Sequence, residues 1–224
     1  MARTARLQFV VLIVVLVLGV AAAVSQSTSM SRAQSDATPP ASPLASPSAS
    51  PQASPQASPV AGGALPLPTE AQVPPDLAMT EDRARTLDEV TANFADPAAA
   101  RQQFVEWGWQ RNLIRAFHTP EDAPVAPELI DGIYVSVHEF GTPEFAAEAL
   151  DYSFGVQAAD GSLAEIPIDP LGETSRALYG TLSYGNEVTI YVQQGNLLIR
   201  LSASAPEGDP RAQAIDLMET MLGG

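Results

Sequence analysis

The chain contains no cysteine, and all of its 11 basic residues are arginine. Without cysteine there is no disulfide framework, no thiolate nucleophile, no cysteine-held metal and no lipid attached through sulfur. Without lysine a Walker-type phosphate loop cannot be built, and no G-x-G-x-x-G run occurs in its place. The nucleophile elbow G-x-S-x-G and the S-x-x-K motif are missing as well. The stretch "DGSLAEIPID" lacks the second and third acidic positions that a calcium loop requires. Histidine is scarce: His118 and His138 are the only two. These absences point away from catalysis, and no metal or cofactor is expected.

Positive charge is also in short supply. There are 26 acidic residues against 11 basic ones, for a formal charge of −15. Arg3, Arg6, Arg32 and Asp36 all precede Thr69, so the remaining chain holds 25 acids against 8 arginines. Such a surface repels phosphate backbones and anionic headgroups, so no nucleic-acid partner is expected. In the plainest reading the acidity keeps an exported domain soluble.

The first 24 residues read as an export segment. Arg3 and Arg6 are followed by an uncharged apolar run from Phe9 to Val24. That pattern fits an apolar helix serving as a signal peptide or a signal anchor. Ala21-Ala22-Ala23 and Ser31-Arg32-Ala33 each offer a small-residue cleavage site. Both outcomes make the rest of the chain extracytoplasmic, either secreted or held by a single N-terminal segment. The membrane is a partner through that segment if it is not cleaved.

Residues 25–68 form a second region, rich in Ala, Ser and Pro. Ser42, Ser46, Ser50, Ser54 and Ser58 each precede a proline. Proline locks its own φ and restricts the residue before it. With almost no large apolar side chains to bury, the tract is expected to be a disordered, polyproline-like linker.

Residues 69–224, about 156 in number, suit one α+β domain. Thr86-Leu87-Asp88-Glu89 has the form of a capping box, which predicts a helix from Leu87. Asp96-Pro97, Thr142-Pro143 and Asp209-Pro210 each place a cap before a helix-opening proline. The second helix should stop at Gly108 and the last at Gly223. Alternation in "GIYVSVHEF" and in "EVTIYVQQGNLLIRLSAS" predicts strands. Gly195-Asn196 is the expected hairpin turn and Gly185-Asn186 a second one, making a C-terminal meander. "NLIRAF" and "LAEIPI" add two strands. The result is an antiparallel sheet of about five to six strands with helices packed on one face.

Candidate functional residues follow from the strand alternation. Tyr134, Ser136 and His138 share a face with Thr189, Tyr191 and Gln193, and with Arg200 and Ser202. If this face points away from the helices, its rings, hydroxyls and single arginine form a shallow surface for a small ligand, a peptide or an envelope partner. Alternatively it is a plain solvated face, since Tyr and Thr suit strands. Pairing of "NLIRAFH" with "GIYVSVHEF" would hold His118 and His138 about 20 Å apart, too far to share a metal. Beside Glu139, His138 could serve as a single acid–base group. Trp107 should seal the second helix against the sheet, and Trp109, past the glycine, should be partly exposed as an interaction anchor.

The C-terminal stretch "EVTIYVQQGNLLIRLSASAPEGDPRAQAIDLMETML", together with "WGWQRN" and "FGTPEFAAEAL", resembles exported bacterial domains that are sensor-like or lipoprotein-like. The resemblance implies an exported α+β domain and carries no functional residue with it. A non-catalytic binding or interaction domain is therefore the first expectation. A secreted hydrolase working through acidic residues is the second, and a structural envelope component is the third.

Overall fold

The structure, a computed structural model, describes residues 64–123 and 126–223. The expected export segment and most of the expected linker lie outside the described residues. Among the described residues no helix is long and apolar enough to cross a membrane.

Seven strands form one sheet: β1 (Ala78–Arg85), β2 (Arg111–His118), β3 (Gly132–Glu139), β4 (Ala164–Ile166), β5 (Thr174–Leu182), β6 (Gly185–Gln194) and β7 (Leu197–Ala205). Their order is β1-β2-β3-β7-β6-β5-β4, and every neighbouring pair is antiparallel. The helices are α1 (Leu87–Thr91), α2 (Pro97–Glu106), α3 (Pro143–Ala159) and α4 (Arg211–Leu222). The α+β class and the C-terminal meander stand as the sequence predicts.

Local chemistry explains most boundaries. The Thr86 side chain accepts from the Glu89 backbone while the Glu89 side chain accepts from the Thr86 backbone, which completes the capping box of α1. Asp96 caps α2 and Thr142 caps α3, each with proline at the start of the helix. The last helix differs slightly. Pro210 itself is the cap residue of α4, without a side-chain bond, and the Asp209 carboxylate instead accepts from the Arg211 backbone and guanidinium.

The β6–β7 turn falls at Gly195-Asn196 as expected, with Gly195 at φ 56°. The other turn does not. Leu182 pairs with Gly185, so Ser183-Tyr184 make the turn and Gly185-Asn186 open β6. Gly185 is needed there for a different reason: a Cβ on it would lie 2.3 Å from the Ala205 carbonyl oxygen.

Two further differences matter for function. The sheet has a seventh strand, β1, whose sequence AMTEDRAR is mostly exposed and shows no apolar alternation. Helices also cover both faces rather than one. On the first face Ile133, Val135, Val137, Val188, Ile190, Val192, Ile199 and Leu201 pack with Leu217, Met218 and Met221 of α4. On the second face Leu178, Tyr191 and Leu198 pack with Phe104 of α2 and Ala146, Leu150 and Phe154 of α3. The reason is burial: α3 carries its own apolar stripe, and the second face offers it scattered apolar and aromatic side chains to cover.

The packed chain begins before the expected domain boundary. Leu65 and Leu67 rest against the α4-side core, and the Pro68 carbonyl accepts from Arg115 at 2.8 Å.

Candidate functional site

The second face of the sheet brings the predicted residues together. Across strands, Tyr134 pairs with Ser202, Ser136 with Arg200, Tyr191 with Arg200, and Thr189 with Ser202. His138 lies one step further along β3, opposite Asn112 of β2. This face is not the open surface expected, because α1, α2 and α3 border or cover it. Tyr191 lies under α3: it is 3% exposed, its ring meets Phe154 edge-on at 5.8 Å, and its hydroxyl donates to Gln157 Oε1.

One polar network fills the β1–β3 side of the face. Arg85 of β1 donates through Nε to Asn112 Oδ1 at 2.8 Å and through Nη2 to Ser136 Oγ at 3.3 Å. Asn112 Nδ2 donates to Ser136 Oγ at 2.8 Å and to the Val137 carbonyl at 3.0 Å. The Trp109 indole N–H donates to His138 Nδ1 at 3.2 Å. Because Nδ1 accepts, Nε2 carries the proton and donates to Ser136 Oγ at 3.1 Å. Three nitrogen donors thus converge on the buried Ser136 Oγ, one more than its two lone pairs can accept.

Burial, helped by Arg85 and Arg200, lowers the His138 pKa to about 3. The ring therefore stays neutral at ordinary pH and is unsuited to acid–base work there. Its expected partner, Glu139, belongs to the opposite face and is engaged by Arg111 at 2.6 Å. His118, opposite Gly132, sits six positions away from His138 along the β2–β3 ladder. Trp109 is half-buried, and its indole N–H is taken up by His138. Trp107 is a core residue, 4% exposed, with its indole N–H donating to Glu148 at 2.8 Å.

A second network lies on the β6 side. Glu187 accepts from the Tyr184 hydroxyl and from Thr189 Oγ1 at 3.0 Å. Thr189 and Ser202 share a hydrogen bond at 2.8 Å, and Gln157 reaches Thr189 at 3.4 Å. Burial pushes the Tyr184 phenol well above its ordinary value, and the Glu187 carboxylate adds to the shift.

Arg200 stands between the two networks and joins neither. Among the described residues it makes no hydrogen bond and no ion pair, and its Nε is buried without a partner. Its guanidinium carbon lies 5.9 Å from the ring centroids of both Tyr134 and Tyr191. The side chain is deeply set within the protein yet keeps some exposed surface. Its stem is packed among the strands while part of the side chain still reaches the surface. Burial works against its charge, but the neighbouring phenols and Glu187 outweigh that effect, so it remains a cation.

Sequence reading missed Arg85, because β1 shows no strand pattern. The only available signal was its place directly before the capping box at Thr86.

No protein-family model matches the chain, and no curated protein matches it. Among solved structures it is similar to the extracellular domain of PknH from Mycobacterium tuberculosis, at 9% identity and a TM-score of 0.42, over 66% of this chain and 86% of that one. At that distance the site has to be read from its own residues.

Proposed function

We propose that this protein is an exported, non-catalytic binding domain whose site is a recess over Arg200 on the second face of the sheet, around Tyr134, His138, Tyr191 and Arg200. The observation that carries the reading is Arg200: a deeply set guanidinium, flanked by two tyrosine rings, that makes no hydrogen bond or ion pair among the described residues. Leaving a buried donor unmatched costs about 1–3 kcal/mol, and a charged one costs more. A ligand that supplies the missing acceptor accounts for that cost. The hydrolase reading has less support. Two carboxylates must flank the reacting bond, whereas β3, β6 and β7 place one carboxylate on this face, Glu187, and Tyr184 and Thr189 already engage it.

Export rests on Arg3, Arg6 and the apolar run Phe9–Val24. Sequencing the mature N-terminus tests it: a start after Ala23 or Ala33 establishes cleavage, and recovery of Met1 or Ala2 establishes an anchor. The binding role is tested by thermal-shift screening of the purified protein against small molecules of anionic, neutral and cationic classes. A hit should raise Tm in wild type and lose its effect in Tyr134→Ala and Arg200→Met. Failure of every class, or hits that both variants retain, would overturn it.

A further inference from the structure

Resting on this binding role, we propose that the recess holds a small oxyanion, a carboxylate or phosphate group, bridged between Arg200 and Arg85.

Pairing statistics within the molecule point to this place first. Six of the domain's eight arginines, Arg83, Arg101, Arg111, Arg115, Arg176 and Arg211, each hold a carboxylate. With 25 acids for 8 arginines, that is the expected condition of an arginine here. Arg85 and Arg200 are the two that form no ion pair among the described residues, and they meet at one site. Ser136, which accepts from Arg85, is the cross-strand neighbour of Arg200. Two half-buried cations set near each other repel, and each pulls the neighbouring His138 toward its neutral form.

The hydrogen-bond inventory gives the sign of the missing group. Among the described residues no acceptor meets the five N–H donors of Arg200, and Arg85 keeps Nη1 unused. Of the carboxylates that act on these two arginines, Glu187 is taken up by Tyr184 and Thr189, and Glu81 by Arg83. The recess is therefore rich in donors and poor in acceptors. Oxyanions match a guanidinium's planar fork, whereas cations and pure donors do not. The strongly acidic surface around it disfavours polyanions, which leaves a compact ligand presenting one anionic group beside the half-buried Tyr134 ring.

The test is a titration of the full chain at low ionic strength with inorganic phosphate, acetate, succinate and neutral succinamide. Calorimetry and tryptophan fluorescence are the readouts; Trp109 reports through His138, which bonds Ser136. At least one oxyanion should bind saturably, succinamide should not, and Arg200→Met should weaken binding about tenfold or more, as loss of a charged hydrogen bond requires. Comparison of the phosphate and carboxylate arms identifies the group. Arg211→Met, at a surface ion pair, should bind as wild type does.

If Arg200→Met does not fold, arginine-selective dicarbonyl labelling of wild type replaces it. The bound oxyanion should slow modification of Arg200 several-fold and leave Arg211 unaffected. Absence of saturable oxyanion binding, unaltered binding in Arg200→Met, or equal labelling of Arg200 with and without the oxyanion overturns the proposal. Neutral or cationic hits that need Tyr134 and Arg200, with no oxyanion hit, would sink the oxyanion and leave the binding role standing. A screen in which no class binds sinks both.

Discussion

At the scale of single residues, Arg200 separates a functional role from a structural one. The Arg200 Nε is buried with no acceptor among the described residues, which weakens the folded state, and an apolar side chain of similar length removes that penalty. Arg200→Met should therefore raise the Tm of the ligand-free protein by ~2–4 °C, which corresponds to about 1 kcal/mol for a domain of this size. A fall in Tm on thermal unfolding would mark Arg200 as a packing residue. His138 gives a pH test with a definite sign. Its pKa is about 3 when folded, against 6.5 ordinarily, so below pH 6.5 the unfolded chain binds the extra proton. The stability this histidine confers is fully present above pH 6.5 and is lost as pH falls toward 3. Between pH 6.5 and 4.5 that loss should be roughly 2–3 kcal/mol. Denaturant unfolding of His138→Asn across the same window should show a slope reduced by that amount. The faces of Tyr134, His138, Tyr191 and Arg200 were legible from alternation alone, because side chains in a strand switch sides every residue. The role of Trp109 was not, because a hydrogen bond between a loop indole and a strand histidine leaves no mark in local sequence.

Elements were read best where their signals were local. Capping boxes, Asx-Pro and Thr-Pro starts and the Gly-Asn hairpin act within four residues, and α1, α2, α3 and the β6–β7 turn follow them. The β5–β6 turn misled because Gly185-Asn186 looks like a turn pair while the glycine serves a close approach. With φ 137° and the Ala205 carbonyl within 2.3 Å of any added Cβ, Gly185 tolerates no side chain without displacement of β7. Gly185→Ala should cost about 2–3 kcal/mol in denaturant unfolding, from backbone strain and the forced shift together. Gly195→Ala, where a Cβ meets nothing within 4 Å, should cost less. β1 escaped notice since an edge strand needs no apolar face; its charged residues suit an edge that must not pair further.

On the scale of the whole molecule, the folded region reaches back at least to Leu65. Leu65 and Leu67 are partly buried on the α4 side and Pro68 accepts from Arg115, so these residues belong to the core rather than to a spacer. A chain beginning at Ala64 should match the stability of the full chain. One beginning at Thr69 should lose about 2 kcal/mol, the worth of two partly buried leucines. Urea unfolding of the two chains decides it, and equal midpoints would return residues 64–68 to the linker.

By itself the sequence determined the α+β class, the helix starts, the strand faces and the residues of the candidate site on β3, β6 and β7. All of these depend on dihedral preferences and periodicities that act over a few residues. Only the tertiary structure decided that helices close over both faces, that β1 lies against β2, and that Arg85 arrives beside Ser136 and Arg200 from more than fifty positions away in the chain. Those facts come from long-range burial and strand pairing, which no local pattern encodes. The candidate site is bordered by helices because α1, α2 and α3 bury apolar side chains on this face, and it is charged because an unmarked edge strand delivers the second arginine.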